Sequence, residues 1–295
     1  MSLTATVLRA GLRRAEGRRR APDVSIASMR EGTERRARRL PTPRGVIVQR
    51  ASLGGVPALR VAHWQSDADR AVLLLHGGAF VAGSARGAAA LAGRLAKGAR
   101  SVVYALEYRL APEHPHPAGV DDAVAAVRAI DGRVSGGRIA VVGESAGGGL
   151  ALAALHALRD DGGPMPRCAV LISPWVDLTL SGDSITDRAA AELSLSADDL
   201  AAAAEHYAPG ALDQPGPSPL FADQSGLPPL LLQAGGDEIL RSDAERLAAR
   251  ARADGADATL EVWDGMWHGW HVLAPFLPEA RHAQAAASRF LRARV

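Results

Sequence analysis

Gly143-Glu144-Ser145-Ala146-Gly147-Gly148-Gly149 is the stretch whose reading decides the fold. The run before it, residues 138–142, is short, β-branched and apolar and predicts a buried strand. The run after it, residues 146–159, is rich in Ala and Leu and predicts a helix. Ser145 then stands on the turn between them. In a Gly-x-Ser-x-Gly turn the flanking glycines are needed where a Cβ would collide with the adjoining strand or helix. The serine is held in a strained conformation that pushes its hydroxyl out above the sheet. Behind it the N-terminus of the next helix favours developing negative charge. A chain with 31 glycines can also form such a turn without any chemistry, so the reading depends on partners elsewhere.

Outward from this stretch, apolar runs alternate with helical ones. Strands are expected at residues 71–75, 101–105, 138–142, 168–172, 229–233 and 259–263, with helices at 86–97, 119–130, 146–159, 240–253 and 277–292. That alternation predicts a mostly parallel sheet covered on both faces. Residues 46–51 and 57–64 read as an edge hairpin turning at Leu53-Gly54-Gly55-Val56. Residues 184–207 read as one Ala-rich helical stretch. Followed by a Pro-rich linker at 209–219, they form an insertion too long for a plain connection. Two further helices are expected at 4–19 and 24–38, separated by Ala21-Pro22, and Pro41-Thr42-Pro43 marks the boundary to the body.

Charge is unevenly spread. Residues 1–50 hold 13 Arg and 4 acidic residues, a net of +9, so the remaining 21 basic and 28 acidic residues give a net of −7. The basic N-terminal segment reads either as a lid over a site, as an arm for an acidic partner, or as solvated helix faces. It lacks the interleaved aromatics of a nucleic-acid binder, and no nucleic-acid partner is expected. Neither a secretory signal nor an apolar run of about 18 residues is found, so no stable membrane insertion is expected. The one cysteine, Cys168, lies in an apolar run and reads as an inert buried thiol, which favours a reducing, cytoplasmic location. His-Glu-x-x-His, thiolate pairs, Gly-Lys-Ser/Thr and a dinucleotide fingerprint are all missing, so neither metal nor cofactor is expected.

A second glycine pair, in His76-Gly77-Gly78-Ala79-Phe80, directly follows the 71–75 strand and can aim backbone N–H groups at an oxyanion. His-Gly-Gly followed downstream by Gly-x-Ser-Ala-Gly-Gly resembles the hormone-sensitive-lipase-like family of α/β-hydrolases. Tyr108-Arg109-Leu110-Ala111-Pro112-Glu113-His114-Pro115 and Ser173-Pro174-Trp175-Val176-Asp177 resemble two further segments of that family, in the same order. The resemblance implies an α/β-hydrolase fold: a mostly parallel central sheet, helices on both faces and a helical cap. It divides the chain into an N-terminal cap segment at 1–44, core at 45–180, a cap insertion at 181–220 and core again at 221–295. The inward apolar face of the first cap helix would be Leu3, Val7, Leu8 and Leu12. The implied activity is a serine hydrolase, a carboxylesterase for small esters of short to medium acyl chain. A homodimer is left open. The implied oxyanion hole is the turn at Gly77, Gly78 and Ala79 together with Ala146, with the N–H groups of Gly78, Ala79 and Ala146 as donors. The family usually has a third glycine where this chain has Ala79, which requires a negative φ there. Glu107 and Glu144 stand where Asp is common.

In such hydrolases the order along the chain is Ser, acid, His. Asp237 follows the 229–233 strand and His268 follows the 259–263 strand, both at carboxyl ends, where open α/β sheets place their ligands. The expected triad is therefore Ser145, Asp237 and His268. Glu238 reads as a helix-start charge, His271 as a rival base without the following glycine, His76 as a structural residue, and His114 and His116 as surface. The same machinery would serve a lactone or N-acyl amide hydrolase. A non-catalytic small-molecule receptor on this fold is the alternative of another class.

Overall fold

The computed structural model describes residues 1–16, 25–37 and 40–295. The N-terminal segment forms α1 (Leu3–Glu16) and α2 (Ile26–Ala37). The expected ends at 19, 24 and 38 and the Ala21-Pro22 break lie outside the described residues. Strands β1 (Val46–Leu53) and β2 (Val56–His63) pair antiparallel with Leu53 opposite Val56. The turn between them is Gly54-Gly55, at φ +58° and +89°, values that favour glycine.

From β3 (Asp67–Leu75) onward the chain alternates: α3 (Ala89–Ala99), β4 (Ser101–Leu106), α4 (Ala118–Asp131), β5 (Ile139–Glu144), α5 (Ala146–Asp160) and β6 (Cys168–Ile172). Then come α6 (Ser184–Asp187), α7 (Ala197–Tyr207), β7 (Leu230–Gly235), α8 (Arg241–Ala253), β8 (Ala258–Trp263) and α9 (Pro278–Arg294). The eight strands form one sheet in the order β1-β2-β4-β3-β5-β6-β7-β8. Among the described residues the β1–β2 and β2–β4 pairs are antiparallel and the other five pairs are parallel.

Continuous apolar runs are what a sheet buried on both faces requires. Leu73, Leu75, Val141 and Leu171 pack on one face with residues of α4, α5 and α8, while Val72, Leu74, Ala140 and Val142 pack on the other with α3 and α9. Within that second layer Cys168 is buried, and burial pushes its thiol up to about 12, so it is protonated and unreactive near neutral pH. Helix α5 is buried almost all round, as its Ala/Leu content demands, and this fixes the turn that precedes it against the middle of the sheet.

Two expectations need correction. The stretch 184–207 is not one helix: it breaks into α6 and α7 with an irregular segment between. Ser196 accepts a hydrogen bond from the N–H of Asp199 and so starts α7, while Glu192 and Leu193 are buried and turn out of any helical path. On α1, Leu3 and Val7 are 81% and 65% exposed. Leu8 and Leu12 do turn inward as expected, but with Ala5 and Arg9 in place of Leu3 and Val7, an i, i+3, i+4, i+7 stripe. Ala5, Leu8 and Leu12 pack on a cluster with Leu193, Trp267 and Trp270. Among the described residues no helix is long and apolar enough to cross a membrane.

Candidate active site

The turn from β5 into α5 is fixed by collisions. A Cβ on Gly143 would run into the carbonyl of Gly147, one on Gly147 into that of Leu75, and one on Gly149 into that of Trp175. Ser145 takes φ +55° and ψ −124°, a conformation rare for a residue with a side chain. Neighbours hold it there, since its N–H donates to the carbonyl of Ile172 at 2.8 Å and its own carbonyl accepts from Trp175 at 3.1 Å. Through that bond the Ser173–Asp177 segment is packed against the turn. The Ser145 hydroxyl leaves this turn toward the loop after β8.

On that loop His268 is 7% exposed, and its Nε2 lies 3.0 Å from Ser145 Oγ. Its Nδ1 lies 3.1 Å from an oxygen of Glu238, which is fully buried. A carboxylate can only accept, so the ring proton sits on Nδ1 and Nε2 is free to accept from the serine hydroxyl. Burial acts to lower the His268 pKa. The hydrogen bond and charge of Glu238, together with the charges of Glu192 and Glu144, outweigh it, and the net shift is upward.

Asp237 is the expected residue that the structure does not bring to His268. As the chain leaves β7, Gly236 N–H donates to Trp263 and Asp237 N–H to Met266, which pins the loop against the β8 side. The Asp237 side chain is thereby turned outward to pair with Arg9 of α1. The next side chain turns inward. One oxygen of Glu238 accepts from the N–H of Gly235 at 2.7 Å and from Ser173 Oγ at 2.6 Å, leaving the other for His268. Glu238 is therefore not a helix-start charge. Sequence alone offers no means of choosing between adjacent carboxylates, because the choice is made by three segments distant in the chain. The bonds of Ser173 to Glu238 and of Arg9 to Asp237 escape the sequence for the same reason.

The glycine turn after β3 lies beside the serine, where a Cβ on Gly77 would stand 3.1 Å from that of Ser145. Gly78, Ala79 and Phe80 have φ of +132°, +54° and +63°, and the Gly78 carbonyl accepts from Val81 and Ala82 at 3.1 and 2.9 Å. Ala79 thus adopts the left-handed region, contrary to the negative φ expected of an alanine. Phe80 anchors the turn: it is 2% exposed and stacked on Tyr207 of α7 with ring centroids 3.8 Å apart. From behind, the Tyr108 hydroxyl donates to the His76 carbonyl at 2.7 Å, with the two rings stacked. Burial lowers the His76 pKa to about 4, so the ring is neutral near pH 7.

His271 is fully buried, and neither of its ring nitrogens has a partner among the described residues. Burial lowers its pKa to about 3. It is His268, not His271, that reaches Ser145. His114 is exposed, and His116 is half-buried, edge-on to Tyr207.

A family model described as the alpha/beta hydrolase fold matches residues 72–272. An acetyl-hydrolase of Streptomyces hygroscopicus is 46% identical over 225 residues, 76% of this chain and 75% of that protein. The putative acetyl-hydrolase LipR of Mycobacterium tuberculosis is 33% identical over 293 residues, 99% of this chain and 95% of that protein. Among solved structures, an esterase from the bacterial hormone-sensitive lipase family overlays at a TM-score of 0.94 and 40% identity, covering 100% of this chain and 99% of that one. A hormone-sensitive lipase from a metagenome library overlays at a TM-score of 0.95 and 35% identity, covering 100% and 98%. With residues 72–272 matched by the model and these overlays running its whole length, the chain belongs to the alpha/beta hydrolase fold family, in its bacterial hormone-sensitive-lipase branch of esterases.

Proposed function

We propose that this enzyme hydrolyses carboxylic esters of short to medium acyl chain through an acyl-enzyme on Ser145. The observation that carries the reading is the relay from Ser145 through His268 to Glu238, with hydrogen-bond distances of 3.0 and 3.1 Å. His268 Nε2 takes the hydroxyl proton as Ser145 Oγ adds to the acyl carbon. Glu238 holds the ring in the required tautomer and stabilises the imidazolium that forms. The N–H groups of Gly78, Ala79 and Ala146, with Gly77 opening the turn, hold the tetrahedral oxyanion. His268 then gives its proton to the leaving alkoxide. A water activated by the same nitrogen adds to the acyl-enzyme and releases the acid, returning the proton to Ser145.

The N-terminal segment at 1–44 and the insertion at 181–220 wall the acyl pocket as a cap. Support for this comes from α1, which packs on Trp267 and Trp270 beside His268, and from Tyr207 of α7, which stacks on Phe80 of the oxyanion turn. A small acyl group agrees with the side chain at Ala79 and with the acetyl-hydrolase names of two relatives. The location proposed is the cytoplasm, on the strength of the one buried Cys168. The test is a series of p-nitrophenyl esters from acetate to dodecanoate, run beside a lactone and an anilide, with Ser145→Ala as the blank. Highest kcat/KM at acetate to hexanoate is expected; turnover of the anilide or lactone ahead of every ester would overturn the substrate class.

A further inference from the structure

Glu192 belongs to neither the sheet nor a helix, and the activity just described gives it no role. It sits in the irregular segment between α6 and α7, 8% exposed, in a chain region whose other residues are mostly Ala, Ser and Leu. One of its oxygens accepts from the N–H groups of Leu193 and Ser194 at 2.7 and 2.8 Å. Those two bonds are local, and any short acceptor at this position would make them. The remaining bonds are not local. The N–H of His268 lies 3.2 and 3.3 Å from the two oxygens, and the N–H of Ile239 lies 3.3 Å from the second. Ser194, two residues on, donates its hydroxyl to the carbonyl of His268 at 2.9 Å. Both backbone polar groups of His268 are therefore held by this one segment of the insertion, and the residue after Glu238 is held with them.

Every partner of the Glu192 carboxylate is a donor, so the ionised form is the one the site satisfies. Burial, helped by the charge of Glu238, leaves its pKa above the usual carboxylate range, although the charge of His268 and the backbone N–H groups of Ser194 and Leu193 oppose the rise. We infer that Glu192 is a positioning residue for the reaction: it clamps the His268 and Glu238 loops to each other and adds its negative charge to those of Glu238 and Glu144 around the imidazole. This rests on the assignment of Ser145, His268 and Glu238 as the reacting set. The groups whose charge acts on His268 are Glu238 from the loop after β7, Glu192 from the insertion and Glu144 at the end of β5. His271, on its own loop, is neutral near pH 7.

Glu192→Gln keeps length and one acceptor but removes the charge and turns an amide NH2 toward backbone donors. Glu192→Asp keeps the charge and the local bonds but is one methylene too short for His268. In Glu192→Gln, kcat should fall by about 10- to 100-fold with KM little changed, since a displaced base costs rate rather than binding. The acid limb of kcat/KM should move down by roughly half a pH unit as one negative charge leaves the imidazole. Glu192→Asp should lose kcat similarly while keeping the wild-type limb, and it decides the matter if Glu192→Gln does not fold. Wild-type kcat in either folded variant, or an unshifted limb in Glu192→Gln, would reduce Glu192 to a scaffold residue. Fluorophosphonate labelling separates the two levels. If Ser145→Ala is still labelled and active, the assignment of the reacting set has failed; if Ser145 alone is labelled while both Glu192 variants keep wild-type rates, only the role of Glu192 has.

Discussion

The turn after β5 and the loop after β7 each carry a chain from a parallel strand into a helix, yet they are held by different forces. At residues 143–149 the path is dictated by backbone collisions: Gly143 and Gly147 each lie where a Cβ would strike a carbonyl, and Ser145 is left at φ +55°. At residues 235–240 the path is dictated by bonds from outside, with Trp263, Met266, Ser173 and Arg9 each taking one group. The first turn presents its reacting atom through close backbone approaches that its own glycines permit. The second presents one of two adjacent carboxylates according to what surrounds it. The nucleophile's place should therefore follow from glycines that let the backbone pack closely, whereas the acid is assigned by polar context and can be exchanged.

The sharpest way to break this contrast is at the first turn. Ser145→Ala should cost about 10⁶-fold in kcat, the scale for removing a nucleophilic serine, with the fold kept because alanine tolerates the same space. Residual turnover within tenfold of wild type on p-nitrophenyl acetate would place the nucleophile elsewhere. At the second turn, Glu238→Gln should lose about 10³- to 10⁴-fold, since an amide can hold the wrong imidazole tautomer. Asp237→Asn should lose less than about tenfold, because its carboxylate faces Arg9 and not the ring. Steady-state kinetics on both variants decides between the neighbours, and a reversal of their order would return the acid role to Asp237.

How much could be read from residues alone follows the same division. The strands, their order of chemistry and the Ser145 and His268 positions were legible because each is marked locally: β-branched apolar runs, glycines that only a tight turn requires, and a histidine just past a strand end. The acid was not, since Asp237 and Glu238 are alike in charge and adjacent in sequence, and only the bonds of Gly236 and Asp237 to the β8 loop aim one outward and the other inward. Glu192 was hidden in an Ala-rich run that reads as helix. Its burial against His268 is a tertiary event, and it overrides the helical propensity of the three alanines that precede it.

Protonation gives a smaller effect on the same comparison. His268 must be neutral to take the serine proton, so kcat/KM should climb with pH through its pKa. The negative groups around the ring, with Glu238 foremost, raise that pKa against the opposing effect of burial, so the acid limb should lie above the ordinary value of about 6.5. In Glu238→Gln the limb should move down, because the largest stabiliser of the imidazolium is gone, while in Asp237→Asn it should stay within a few tenths of a unit. A pH–rate profile of the three proteins between pH 5 and 9 measures this; a limb below 6 in the wild type would mean that burial prevails over the carboxylates.

The smallest effect concerns the glycine turn after β3, the proposed oxyanion site, which combines both kinds of control. Ala79 lies at φ +54°, where a residue with a Cβ costs roughly 1–2 kcal/mol relative to the right-handed region. The turn persists because the next side chain, Phe80, is buried against Tyr207 and Trp175, and such burial is worth about 1.5–3 kcal/mol. Ala79→Gly would remove the strain but add about 0.4–1 kcal/mol of unfolded-chain entropy, so the net gain should lie between about 0 and 1.6 kcal/mol. For a chain of this size that corresponds to a rise in Tm of up to roughly 3 °C by differential scanning calorimetry. Loss of the methyl should also raise kcat/KM for longer acyl chains more than for acetate, since it widens the wall beside the acyl group. A fall in Tm would show that the alanine methyl packs well enough to outweigh the strain of its backbone, and that sterics rather than the Phe80 anchor hold this turn as well.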